Sequence, residues 1–155
     1  MNQARHSADE RASRVKLMIF DVDGVLTDGG LRYGPDGELF KTFNVLDGHG
    51  IKLLQQSGVK TAIISARNSP VVAKRAADLG IAVLRQGVHD KLAAFRELIS
   101  DLNLVPNDCG FMGDDVIDLP VMTRVGFAAS VPNGHPEVRS RAHYVSEARS
   151  EERRV

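Results

Sequence analysis

The chain has 155 residues, enough for one domain with a proper core, and its 43% hydrophobic and 26% charged residues are ordinary for a globular protein. Twenty basic and twenty acidic residues cancel, so no overall charge favours nucleic acid or a membrane surface, and no apolar run nears the roughly 20 residues that span a bilayer. A single cysteine, Cys109, excludes an intrachain disulfide, and the first fourteen residues lack the apolar core of a secretory signal, so the expected address is the cytoplasm.

Residues 1–14 carry charge without a hydrophobic period and read as a frayed arm with, at most, a short helical turn. Residues 15–20 form a short apolar strand suited to burial on both faces. It runs into Asp21-Val22-Asp23-Gly24, two carboxylates one residue apart. Taken alone, this pair fits a solvated turn as well as a cation site. Pro35-Asp36-Gly37 is a turn signal between two short segments, so residues 29–43 read as a β-hairpin. Its few apolar residues imply that it projects and needs a partner to cover it.

A helix is expected over residues 47–57, stopped by Gly58, then a buried strand over 59–64. Ser69 caps a helix over 70–79 that ends at Gly80, and a third strand covers 81–84. Leu92, Phe95, Leu98, Ile99 and Leu102 recur at helical spacing over 90–102. A strand over 109–112 holds Cys109 as a buried thiol. A helix over 116–125, a strand over 126–129, a short helix over 136–141 and a strand over 143–145 complete the pattern. Alternating strands and helices predict a Rossmann-like α/β fold, a parallel sheet with helices on both faces, in a single domain over 1–155 with its core in 15–145. In such sheets chemistry sits past the carboxyl ends of the strands. There the sequence places Asp21 and Asp23, then Ser65 and Arg67, then Asp114 and Asp115, with Asp118 one turn on and Lys91 opening a helix. Oxygen ligands without a histidine or cysteine cluster select a hard cation, and Mg²⁺ suits phosphate chemistry.

Asp21-Val22-Asp23-Gly24-Val25-Leu26-Thr27-Asp28, Ser65, Lys91, and Gly113-Asp114-Asp115 with Asp118, in that order, resemble the four motifs of the haloacid dehalogenase-like phosphatase superfamily. The hairpin, residues 43–51 and residues 113–122 further resemble its capless subfamily. That subfamily acts on sugar acid phosphates such as 3-deoxy-D-manno-octulosonate 8-phosphate or the nine-carbon sialic-type 9-phosphates. The resemblance implies a Mg²⁺-dependent phosphatase with Asp21 as nucleophile and Asp23 as general acid/base. It implies metal ligation by Asp21, Asp114 and the backbone carbonyl of Asp23, with Asp115 and Asp118 supporting that site. Ser65 and Lys91 would hold the phosphoryl group, and Arg67 and Asp47 the sugar acid, although Arg67 reads equally as a surface arginine. The partner it implies is a second copy of the chain, in a homotetramer whose neighbouring hairpins cap each site.

Two departures stand out. Relatives have glycine where this chain has Ala66, which strains the loop only if that position needs positive φ. Residues 146–155 replace a glycine-rich ending with a charged stretch expected to be disordered, which leaves a non-catalytic accessory module as the competing class. His143 stands where relatives carry aspartate and reads as a surface change. His49 is a possible substrate contact, and His6, His89 and His135 read as surface residues or caps.

Overall fold

The computed structural model describes residues 2–150. Eight strands and six helices follow one another as α1 (Asn2–Ser13), β1 (Leu17–Phe20), β2 (Arg32–Gly34), β3 (Gly37–Phe40), α2 (Val45–Gln56), β4 (Lys60–Ile64), α3 (Pro70–Leu79), β5 (Val83–Arg85), α4 (Lys91–Asp101), β6 (Cys109–Met112), α5 (Leu119–Met122), β7 (Phe127–Ser130), α6 (Pro136–Arg141) and β8 (Tyr144–Val145). Six of the strands form one parallel sheet in the order β5-β4-β1-β6-β7-β8, and β2 and β3 pair antiparallel as a separate hairpin.

The parallel order follows from the crossover helices, and the helices lie on both faces because β1 is apolar on both. Leu17 and Ile19 pack with Phe95 and Leu98 of α4, Val121 of α5 and Val138 of α6. Met18 and Phe20, pointing the other way, pack with Ile51 of α2 and Val72, Ala76 and Leu79 of α3. The two-sided burial puts β1 in the middle of the sheet, between β4 and β6, in register Leu17–Lys60 and Leu17–Cys109. The carboxyl ends of three adjacent strands therefore open on one edge.

Several expectations need correction. The N-terminal arm is a twelve-residue helix, held by Ala8 buried against the body and by Arg11, whose guanidinium donates to Gly126 O at 2.9 Å. One small apolar residue and one long arginine leave no periodic signal in the sequence. The helix expected over 116–125 is instead a tight 3₁₀ turn at Val116–Asp118 followed by the four-residue α5. The Asp115 carboxylate accepts from Val116 N–H at 2.7 Å, and Pro120 offers no backbone N–H, so the chain is re-aimed rather than continued. Ser69 sits at the cap of α3, but its side chain makes no capping bond; its hydroxyl donates to Glu38 of the hairpin at 3.1 Å.

The stretch expected to be disordered is in part ordered. Ser150 is buried, its hydroxyl donates to the Asp47 carboxylate and lies 3.2 Å from Leu26 O, and Asn44 Nδ2 donates to Ser150 O at 2.5 Å. Residues 151–155 lie outside the described residues. Ala66 raises no strain, because Asn103 is the one non-glycine with positive φ among the described residues.

His143 is not a surface residue. It is half-buried, and its ring Nδ1 accepts from Ala128 N–H at 2.8 Å while its backbone N–H donates to Ala128 O at 2.8 Å. Burial, assisted by Arg11, holds its pKa below the ordinary 6.5. The neutral ring is thus favoured in the fold. Above pH 6.5 both folded and unfolded histidine are neutral; below it the unfolded chain takes the proton first, so stability is lost as the pH falls. Thermal unfolding across pH 8 to 5 should show a steeper acid loss in the wild type than in His143→Ala, which itself should cost about 1 kcal/mol at neutral pH.

Candidate active site

Asp21 directly follows β1, and its N–H still pairs with Met112 O at 3.0 Å, so the sheet fixes its backbone. The chain then winds back on Val22 O, which accepts from the N–H groups of Val25, Leu26 and Thr27. The buried Thr27 hydroxyl accepts from Gly24 and Gly29 N–H at 3.3 and 3.2 Å. This turn requires glycine at 24: φ is +84°, and a Cβ there would meet Asp114 Oδ2. The Asp114 carboxylate therefore lies directly over the first acidic loop.

The loop after β6 is held from beneath. Asp118 is wholly buried; its Oδ2 accepts from Asp114 N–H at 3.1 Å and Asp115 N–H at 3.2 Å, and its Oδ1 accepts from Lys91 Nζ at 2.7 Å. Ser130 Oγ donates to Gly113 O at 2.8 Å, and His135 N–H donates to Asp114 O at 2.7 Å. Lys91, the first residue of α4, is also buried and lies 3.0 Å from Asp21 Oδ1. A cation at a helix N-terminus opposes the helix dipole, so its place there depends on the two carboxylates that grip it. Burial pulls the Lys91 ammonium down, yet Asp21 and Asp118 together hold its pKa above the ordinary 10.5.

Asp21, Asp23, Ser65, Arg67, Asp114 and Asp115 line one cavity of about 300 Å³ at the carboxyl ends of β4, β1 and β6. The structure thus brings these predicted site residues together, with Lys91 and Asp118 beneath them. Asp47 does not join them: it is buried at the start of α2, bonded to Ser150, beside Ile51 and Ile63 in a separate, nearly filled pocket. His49 is exposed on α2, and His135 caps α6, its Nδ1 accepting from Glu137 N–H. Two residues of the site were not foreseen, Glu38 and Lys41 of the hairpin. Lys41 Nζ lies 2.7 Å from Asp23 Oδ1 and 3.0 Å from Glu38 Oε2, and Glu38 Oε2 also accepts from Arg67 at 3.2 Å. The signal for them was their placement beside a hairpin turn, which fixes no destination. Arg67 further reaches Tyr33 Oη at 2.9 Å, and its Nε is buried with no hydrogen-bond partner.

Carboxylate oxygens of Asp21, Asp114 and Asp118 lie within 4.8 Å of one another. Asp118 has both oxygens committed to Lys91 and backbone N–H groups, so a cation fits best between Asp21 and Asp114. Burial, then the neighbouring acids, push the Asp114 carboxyl up to about 8 and that of Asp21 to about 6, against an ordinary 3.8. Two acids that resist ionising together are what a divalent ion relieves. An all-oxygen donor set fits Mg²⁺. Cys109, buried at the far end of β6 with its thiol pushed up to about 12, has no part in this chemistry.

Comparisons with known proteins place the chain in a family. A family model described as haloacid dehalogenase-like hydrolase matches residues 80–152. The chain is 44% identical over 137 residues to 3-deoxy-D-manno-octulosonate 8-phosphate phosphatase KdsC of Yersinia pestis, covering 88% of this chain and 73% of that protein. The crystal structure of the Yersinia pestis phosphatase superposes with a TM-score of 0.90 at 42% identity, covering 94% of this chain and 79% of the other. The Moraxella catarrhalis phosphatase, solved in complex with magnesium ion, phosphate ion and KDO, gives a TM-score of 0.90 at 38% identity, covering 98% and 85%.

The raised carboxyls set a pH dependence. The folded, metal-free chain keeps protons at Asp21 and Asp114 that the unfolded chain releases near 3.8. Stability contributed by these groups therefore falls as the pH rises from about 4 to about 8. Mg²⁺ needs the ionised forms, so it should stabilise more at pH 8 than at pH 6. Unfolding temperatures with chelator and with Mg²⁺ check this: the gap between them should widen with pH, and Asp114→Asn should abolish it.

Proposed function

Because the chain belongs to the 3-deoxy-D-manno-octulosonate 8-phosphate phosphatases of the haloacid dehalogenase-like hydrolases, we propose that Asp21 is its nucleophile and Asp23 its proton carrier. The chain is a phosphoric monoester hydrolase that uses Mg²⁺ and releases phosphate from 3-deoxy-D-manno-octulosonate 8-phosphate. The observation that carries the assignment of roles is the convergence of Asp21, Lys91, Ser65 and Asp114 on one strand edge.

In this reading an Asp21 oxygen attacks phosphorus in line with the sugar oxygen, forming an aspartyl-phosphate as the ester bond breaks. Lys91, fixed by Asp118, lowers the repulsion between the attacking carboxylate and the phosphate dianion. Asp23 gives its proton to the departing sugar oxygen and later takes one from the water that hydrolyses the intermediate. The Ser65 hydroxyl, whose position is set by backbone bonds of Ser65 to Arg85 and Val88, donates to a phosphoryl oxygen. Mg²⁺, held by Asp21 and Asp114 with the Asp23 carbonyl, supplies positive charge to the phosphoryl oxygens, and Asp115 supports that site. Arg67, which lines the cavity beside Asp23, receives the sugar-acid carboxylate.

No described helix is long and apolar enough to cross a membrane, and a cytoplasmic address accords with that. A homotetramer accords with the exposed apolar side chains of the hairpin, where Leu39 is 63% and Phe40 50% exposed. Replacing Leu39 and Phe40 together by glutamate should shift sedimentation from tetramer toward smaller species.

Phosphate release from the octulosonate 8-phosphate and from a sialic-type 9-phosphate, with and without Mg²⁺, tests the reading. Turnover should be Mg²⁺-dependent and strongest on the eight-carbon ester. Asp21→Asn should leave no turnover above background, and Asp23→Asn should lose roughly 10²–10⁴-fold. Undiminished activity in Asp21→Asn would sink the mechanism.

A further inference from the structure

Lys41 follows β3 and has no role in the steps above, yet only 2% of its side chain meets solvent. A buried ammonium is costly unless carboxylates surround it, and Lys41 has two, Asp23 Oδ1 at 2.7 Å and Glu38 Oε2 at 3.0 Å. Burial lowers its pKa, and the hydrogen bonds and charges of these two acids outweigh that, so it stays charged. Docking the hairpin does not by itself call for this lysine. Glu38 already ties the hairpin to the loop after β4, through Arg67 at 3.2 Å and the Ser69 hydroxyl at 3.1 Å. The second carboxylate that Lys41 reaches is the proton carrier of the reaction. Asp23 lines the cavity on a turn, and Lys41 is the closest cation to its side chain, with Arg67 Nε at 3.8 Å from Oδ2.

We infer that Lys41 is a positioning residue for phosphoryl transfer, holding Asp23 Oδ1 so that Oδ2 carries the proton to the leaving oxygen. The inference rests on the role given to Asp23 above. As the bond between an Asp21 oxygen and phosphorus forms and the bond from phosphorus to the sugar oxygen breaks, the Oδ2 proton passes to that sugar oxygen. The hairpin thereby acts on chemistry in its own chain as well as presenting an outer face.

Two esters separate positioning from docking. The sugar phosphate leaves as an alkoxide that needs the proton, whereas p-nitrophenyl phosphate leaves as a stable phenolate. Their kcat/KM values report the steps up to aspartyl-phosphate formation, so the later hydrolysis does not enter. Lys41→Met should lower kcat/KM on the sugar phosphate by roughly 10–100-fold, within the span of general acid catalysis, and on the aryl ester by a few-fold at most. Asp23→Asn should show the same selectivity, and adding Lys41→Met to it should not change the ratio of the two esters further. Glu38→Gln, which keeps the lysine but loosens it, should shift the ratio the same way by less, and it decides the matter if Lys41→Met does not fold. Equal losses on both esters, or a full further loss in the Asp23→Asn background, would show that Lys41 only docks the hairpin. An unchanged ratio in Asp23→Asn itself would overturn the role of Asp23 and this inference with it; a shifted ratio there but not in the Lys41 and Glu38 variants overturns this inference alone.

Discussion

Everything at this site depends on one buried ammonium. Lys91 lies between Asp21 and Asp118, at 3.0 and 2.7 Å, with its side chain almost wholly out of solvent. An ion removed from water costs several kcal/mol, and only closely placed counter-charges offset that. The same contact fixes three parts of the chain: the end of β1, the start of α4 and the loop after β6. Break it and two buried carboxylates lose their cation while the loops they anchor lose their reference point. Asp114 stands outside this grip, and its carboxyl is the one pushed furthest up. The protein has thus arranged one cation of its own and left the remaining charge for an ion from solution.

The parallel sheet was readable from the strand–helix alternation because burial on both faces gives continuous apolar runs such as residues 17–20. The acids of the site were readable because each follows such a run directly, so knowing the strand gives the position. What escaped the sequence was held by single long-range contacts. α1 stays in place through Ala8 and Arg11, Ser150 through Leu26 and Asp47, and His143 through Ala128. None of these leaves a periodic trace. Asp47, expected beside the sugar acid on resemblance, sits in the first turn of α2 and lines a pocket separate from the acid cluster. Lys41 and Glu38 escaped for a related reason: the pattern of a hairpin tells which residues pair across it and not what its face meets.

That hairpin divides its two faces by chemistry. Glu38 and Lys41 turn inward onto Asp23, Arg67 and Ser69, and the Tyr33 hydroxyl meets Arg67 beside them, while Leu39 and Phe40 stay largely exposed. A separate cap domain would bring its own core. Here two short strands with almost no apolar anchorage to the sheet are kept by charge on one side. The Lys41 ammonium at their centre is enclosed, so salt screens its pairs less than it would surface pairs.

Asp118 shows how little tolerance the arrangement leaves. One of its oxygens faces the Lys91 ammonium and the other faces two backbone N–H groups, so both sides of the carboxylate meet donors. An amide has the same shape but carries an acceptor on one side only. Rotated either way, asparagine would turn its NH₂ toward an ammonium or toward a pair of amide hydrogens. No flip removes the conflict, and the side chain has no exposed surface through which to turn away from it. The closest isostere of aspartate is therefore excluded here by hydrogen-bond polarity alone, with no change in volume at all.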